Sequence, residues 1–460
     1  MSTRSFWRRR EVLPPQQSKD ATPNMLNRLD AAGPLSGKVG KTALLLLGML
    51  ILFPALQGRA DEFHYTNQLI GNRAAGMGGA YTAISDDPSG LYHNPAGIVY
   101  SQASNLTASV NAFSVGEKRY KAVLGGIYDW ERESYSLLPN FFGIIQPLGE
   151  GVLGMSYAVP DSLIEDQDQQ FNDDFPSSIT GVNIDSYTIN INKKDNTYKF
   201  GPSYAVGFGP NLSVGLTLYF HYREKDFIKN EYVLLDNTTT GNSYKDFEWT
   251  SFYYETFEYG YEPILGVMWS PIDRLSLGLK ISQTQIFYSD TTSQNTFRSE
   301  IQGTVTNNAT NMVNRDDKRE QPLNVTLGLA WFASDTILFS SDLSWFSSTA
   351  DAFFGDKQSV LDLALGLEWY MNPRVALRTG VFTQNANTKE VEAGLQNQDE
   401  HLNYYGGSVS LSRFSRNSSI TGGFTYSMGS GDAQVFANDT SIQEVEGYNY
   451  TIYLSTSYSY

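Results

Sequence analysis

Cysteine is absent from all 460 residues, which removes disulfides and thiolate metal sites. Long apolar runs are nearly as scarce. The longest, Thr42–Phe53 (TALLLLGMLILF), has twelve residues, and a helix needs about 20 to cross a bilayer. A polytopic helical membrane protein is therefore excluded. Histidine occurs four times, and 33 Lys and Arg face 49 Asp and Glu. Nucleic-acid partners call for basic patches, so this balance argues against them.

What is present starts at the N-terminus. Lys38 and Lys41 precede the apolar run, and Pro54 and Gly58-Arg59-Ala60 follow it. Basic, apolar and then small residues is the order of a secretory signal peptide, with cleavage expected after Ala60. Residues 1–37 are long for the leading part of such a signal, and Met25 is an alternative start. Residues 1–60 are thus expected to be a removed leader. The exported chain, 61–460, keeps 24 basic and 46 acidic residues, a net charge near −22. Without disulfides it must be held by a large core or by closed strand pairing.

The C-terminus is the second signal. Tyr448, Tyr450, Ile452, Leu454, Thr456, Tyr458 and Tyr460 alternate with Asn449, Thr451, Tyr453, Ser455, Ser457 and Ser459. Period two puts these sets on opposite faces of one strand. A last strand that ends on an aromatic resembles the terminal signal of bacterial outer-membrane barrels. The pattern also recurs within the chain. "VGFGPNLSVGLTL", "LGVMWSPIDRLSLGLKI", "LGLAWFASDTILFSSDL" and "LGLEWYMNPRVALRTGV" share a strand, an aromatic, a short turn and a strand. Their aromatics Phe208, Trp269, Trp331 and Trp369 suit an interfacial girdle. Leu361, Leu363, Leu365 and Leu367 face one way, and Asp362 and Glu368 the other. Charge on the inner face fits a wet lumen rather than a dry sandwich core.

Strands are expected near 104–115, 134–146, 151–159, 196–207, 211–226, 257–270, 274–290, 322–333, 336–348, 359–370, 374–387, 401–413, 417–428 and 446–460. That makes fourteen, and an even number suits a single-chain barrel. Short connections alternate with long polar ones at 160–195, 227–256, 291–321 and 429–445. The expected fold is all-β: a transmembrane antiparallel β-barrel of about fourteen strands over 104–460. A small N-terminal hatch, 61–103, fills it.

The hatch rests on Gly76–Ile98, "GMGGAYTAISDDPSGLYHNPAGI". No Gly-Lys-Ser/Thr follows the glycines, and no strand precedes them, so neither a phosphate loop nor a dinucleotide fingerprint fits. Asp86 and Asp87 supply two carboxylates, too few for a calcium loop; they read as turn residues that are solvated or accept backbone N–H groups. Neither a metal nor a cofactor is expected. Gly76, Gly78, Gly79, Ala80 and Ala83 allow close packing against a wall. Pro95 fixes a non-strand corner in which Asn94 can bond its own backbone.

The run Arg73, Ala74, Gly76, Gly78, Gly79, Ala80, Ala83, Asp86, Asp87 and then Asn94-Pro95-Ala96 resembles the hatch of the FadL-type long-chain fatty-acid transporter family. The resemblance covers about Gly71–Val110 closely and the rest in pattern. It implies a plugged fourteen-stranded barrel in the outer membrane of a diderm bacterium. Fatty acids or other hydrophobic molecules would cross it by passive, ligand-gated diffusion, with lipid around it and no second copy needed. It also implies an apolar outer groove, for which Phe227, Ile228, Tyr232, Val233, Phe247, Trp249, Phe252 and Tyr253 are candidates beside ordinary loop packing. Release would be sideways near the third strand, where Gly151, Gly154 and Pro160 weaken pairing. Phe63 starts the chain where the family places its ligand-contacting end.

A ligand carboxylate needs a cation, and Lys199, Arg223, Lys280 and Arg378 are the inward candidates. Asp342, Asp362 and Glu368 are expected to neutralise some of them across strands. The competing reading is a non-transporting barrel of the same superfamily that acts in protein secretion or presents a surface to a partner. An enzyme is disfavoured, because His221 turns inward beside Arg223, and neither His93 nor His401 has a serine two places on.

Overall fold

Residues of alternating polarity pair into a wall, and in the computed structural model fourteen antiparallel strands among the described residues close on themselves. The structure describes residues 63–459 apart from 102–103, 138, 173–174, 177–181, 238–245, 302–303, 310–311, 317, 352–354 and 436–439. The expected leader, 1–60, lies outside them.

The strands are β1 (Asn105–Ala122), β2 (Tyr128–Ser136 continued by Phe141–Leu148), β3 (Gly151–Phe171), β4 (Val182–Phe208) and β5 (Leu212–Asn237). Next come β6 (Asp246–Ile272), β7 (Leu275–Ser282 continued by Gln285–Ile301), β8 (Asn324–Phe332), β9 (Ile337–Phe346) and β10 (Val360–Asn372). The series ends with β11 (Val375–Gln384), β12 (His401–Phe414), β13 (Ser418–Ala433) and β14 (Gln443–Ser459). Pairing of β1 with β14, from Asn105↔Ser459 to Tyr120↔Val445, closes the barrel.

Burial is inverted relative to a soluble sheet. Glu258 and Glu368 are 0% exposed, whereas Leu327 and Leu454 are 55% and 56% exposed. Such a surface belongs in lipid. Tyr198, Tyr222, Tyr259 and Tyr288 are register neighbours on β4 to β7. Their ring centroids lie 5.9, 5.3 and 5.8 Å apart. The other rim carries Phe208, Trp269 and Trp331. Ten residues separate Phe208 from Tyr198, Leu212 from Tyr222 and Trp269 from Tyr259. At the rise and tilt of barrel strands this spans about 25 Å, the height of a lipid-facing band.

Tight turns cluster at the tryptophan rim, where Gly149 and Gly209 supply φ of 61° and 67°. The longer connections lie at the other end, but the strands run further than expected. Most of 160–195, 227–256 and 291–321 is ladder, and β1 meets β2 through a short turn around Val123–Gly126. Beyond the tyrosine row β4 to β7 continue for 13 to 16 residues, roughly 35–40 Å. Outside lipid no face has to be apolar, so the period-two signal fades while pairing persists. Polar cross-strand bonds, Asn190 to Asp168 at 2.6 Å and Ser251 to Asn230 at 2.7 Å, take its place. At the same end an apolar cluster including Trp130, Phe171, Ile189, Leu402, Tyr404 and Val445 packs across the mouth.

Candidate functional site: the hatch and its chambers

Residues 63–101 line the inside of this wall. They form α1 (Asn72–Gly76), α2 (Gly90–His93) and a 3-10 turn (Pro95–Tyr100) joined by turns. Elements this short have little intrinsic stability, so the wall holds them. The first described residues sit towards the tyrosine end. Phe63 lies under Lys118 and Lys357 at 5.7 and 5.0 Å, and the His64 ring meets the Leu402 carbonyl at 2.7 Å.

Three pairs of glycines, each pair directly opposed across neighbouring strands, form the seat. They are Gly215↔Gly266, Gly278↔Gly328 and Gly366↔Gly380. A Cβ at Gly215 would stand 2.5 Å from the Pro95 carbonyl carbon, one at Gly328 2.7 Å from the Ala83 nitrogen, and one at Gly366 2.8 Å from the Met77 Cβ. The hatch glycines face this wall in turn. Gly76 lies against Ser410, and Gly78, with φ of 66°, lies against Val381 and donates its N–H to Ser408 Oγ at 2.9 Å. Gly79, with φ of 92°, faces Leu69 instead.

Asn94 ties the corner. Its Oδ1 accepts the Ala96 N–H at 3.2 Å, as expected of a local cap. Its Nδ2 donates to Thr82 O at 2.8 Å and to Val267 O of β6 at 3.1 Å. Ser213 Oγ donates to the Ala96 carbonyl at 2.8 Å. Asn94-Pro95-Ala96 thus joins hatch to hatch and hatch to wall.

A charged layer lies on the tryptophan side. Arg73 donates to both oxygens of Glu368, at 3.0 and 2.7 Å, and also pairs with Asp86. Arg378 donates to the same Glu368 at 2.8 Å. Burial opposes the Arg73 charge, but Asp86 and Glu368 outweigh it and hold the guanidinium well above its ordinary pKa. Asp87 behaves as a turn residue, accepting the Ser89 N–H at 2.8 Å. Asp86 also meets Arg73 and the Tyr81 hydroxyl. Asp342 makes no close ion pair among the described residues; its carboxylate accepts the Tyr81 and Thr82 N–H groups at 3.0 and 2.9 Å, and Lys280 is its more distant countercharge. Burial pushes the His93 pKa down to about 4, against its bond to the Ile70 carbonyl.

The hatch separates chambers. A cavity of about 180 Å³ lies on its tyrosine side, lined by Gly79, Thr82, Tyr92, His93, Glu262 and Lys280 among others. Another of about 150 Å³ adjoins it through Tyr65, Tyr92 and Lys199. On the tryptophan side Arg73, Asp86, Asp87, Arg378 and Arg416 border a cavity of about 280 Å³.

All four candidate cations turn inward. Lys199 pairs with Glu262 at 2.7 Å, Arg223 with Asp195 and Glu258 at 2.7 and 3.2 Å, and Arg378 with Glu368. Lys280 has no carboxylate within 4 Å among the described residues and stands 4.9 Å from the Tyr92 ring.

The wall is interrupted between β2 and β3. Their ladder runs from Leu148↔Gly151 to Phe141↔Ala158 and resumes at the single pair Tyr135↔Ile164. Pro160 sits in a register shift between Ala158 and Asp161 on the β3–β4 side. Gly151 and Gly154 lie in the regular part, Gly154 facing Leu91 of the hatch. Asn140 still accepts the Val159 N–H at 2.9 Å; the pairs absent among the described residues fall between the two parts of β2, a break the sequence reading missed and for which Pro139 was the available signal. Hatch residues cover the gap from inside: Asn67 donates to Asp161 at 2.6 Å, and Asn140 to the Leu69 carbonyl at 3.1 Å.

No protein-family model and no curated sequence matches the chain. Solved structures do. A Pseudomonas aeruginosa FadL homologue aligns with 86% of this chain and 99% of its own, at TM-score 0.56 and 11% identity. The P. putida toluene transporter TodX aligns over 87% and 99%, at 0.57 and 13%. The Ralstonia pickettii toluene transporter TbuX aligns over 85% and 98%, at 0.53 and 13%. The chain has the fold of these proteins.

Proposed function

We propose that the chain is a FadL-type channel of a diderm outer membrane that admits hydrophobic small molecules, such as fatty acids or aromatic hydrocarbons, by passive diffusion. The observation that supports this best is a closed barrel whose hatch divides the lumen while the wall beside the outer chambers is interrupted. Release through the β2–β3 gap, beside Pro160, would hand an apolar ligand to lipid without crossing the Arg73–Glu368–Arg378 layer. Gly151 and Gly154 border that path. The hatch, through Asn94-Pro95-Ala96 and the Asp86 pair, is its ligand-sensitive closure. A ligand carboxylate would meet Lys280 over the Tyr92 ring, since Lys199, Arg223 and Arg378 already have partners. One barrel is closed on itself and serves as a monomer.

Uptake of labelled oleate and toluene into cells that lack their own channels tests the reading. Expression of the full chain is expected to raise the initial rate for at least one of them, and vector-level rates for both would overturn the proposal. Mass spectrometry of the detergent-extracted protein separates the competing reading. A retained hydrophobic ligand supports transport, whereas an empty lumen with a stoichiometric protein partner favours the secretion barrel.

A further inference from the structure

His221, on β5, is 3% exposed, and among the described residues neither Nδ1 nor Nε2 has a hydrogen-bond partner. The charges around it are matched to one another. Arg223 donates twice to Asp195, at 2.8 and 2.7 Å, Arg319 twice to Glu258, at 3.1 and 3.0 Å, and Lys199 pairs with Glu262. Burying an unpartnered donor and acceptor costs stability that an apolar side chain at this position would not.

The imidazole borders the cavity of about 150 Å³. Tyr65, Tyr92, Pro160 and Pro322 place flat rings in its lining, among polar and charged groups that include Asp161, Lys199, Arg319 and Asp351. A cavity of about this volume takes one benzene ring. A neutral imidazole presents one N–H and one lone pair, and its complement is a group that both donates and accepts. A hydroxyl does both, a carboxylate only accepts, and a hydrocarbon does neither. We infer that this cavity binds a single-ring aromatic carrying a hydroxyl group, with the ring against the tyrosine and proline walls and the hydroxyl on His221. His221 is then the residue that separates phenols from hydrocarbons of equal size. The inference rests on the channel reading above and names a substrate class for it.

Titration calorimetry of phenol and toluene against the purified full chain in detergent tests it. Phenol is expected to bind about tenfold tighter or more, the worth of one matched hydrogen bond. His221→Leu should abolish that preference while toluene affinity holds and thermal stability does not fall. His221→Gln, which keeps a donor and an acceptor, should retain part of it. Equal affinities in the wild type, or a preference that survives in His221→Leu, would overturn the inference while leaving the channel reading intact. Failure of both ligands to bind would overturn the inference, and the channel reading would then stand or fall on the oleate uptake.

Discussion

Arg73 shows what one residue decides. It belongs to the hatch, yet Glu368, to which it donates twice, belongs to the wall and is also held by Arg378. Replacing Glu368 with Gln leaves two buried guanidinium groups facing a neutral amide. Breaking a buried pair from one side costs about 3–5 kcal/mol. Amides of residues 72–87 should then exchange markedly faster with deuterium at pH 7 while the barrel strands stay protected. Equal protection would show that the pair does not hold the hatch. His93 adds a pH term. Its docked pKa is about 4, whereas a released histidine titrates near 6.5. The released state therefore takes up a proton first, and docking is weakened as pH falls from about 6.5 towards 4. Channel openings in planar bilayers should become more frequent at pH 4.5 than at 7. His93→Gln should remove the part of that response due to this residue.

At the scale of elements, the hatch is a segment of short turns whose shape is set by the surface beneath it. Six glycines on β5, β6, β7, β8, β10 and β11 let its backbone approach the wall, while β9 contributes Asp342 to its N–H groups. A side chain at Gly278 would run into the Thr82 carbonyl carbon at 2.7 Å and Ala83 Cα at 2.9 Å. Gly278→Val should thus displace the hatch and give a leak conductance, whereas Gly422→Ala, with no atom within 4 Å of its Cβ, should stay silent. The hatch glycines Gly76, Gly78 and Gly79 could be read as packing residues in the sequence. Their seat was hidden, because its glycines are scattered from 215 to 380 and become neighbours only through strand register.

Across the whole molecule, two aromatic rims set its depth in the membrane, and β4 to β7 carry the wall well beyond one of them. In single-tryptophan variants, brominated lipids should quench Trp269 and Trp331 at the inner rim. Trp249 lies ten residues past Tyr259 along β6 and should stay unquenched. Strong quenching of Trp249 would mean that the projecting wall lies on the bilayer rather than standing above it.

Alternation was enough to read the barrel from sequence. Lipid demands an apolar face at every second residue, so Leu361 to Leu367 and the C-terminal tyrosines declared their strands and their orientation without any knowledge of neighbours. The same rule turned Lys199, Arg223, Lys280 and Arg378 inward. It fell silent beyond the bilayer, where both faces meet water and β4 to β7 are held by pairing alone. Which inward cation has no carboxylate within 4 Å among the described residues, which wall glycines meet the hatch and where the ladder parts between β2 and β3 were decided by tertiary structure. Each depends on residues far apart in the chain, and only barrel closure fixes their separation.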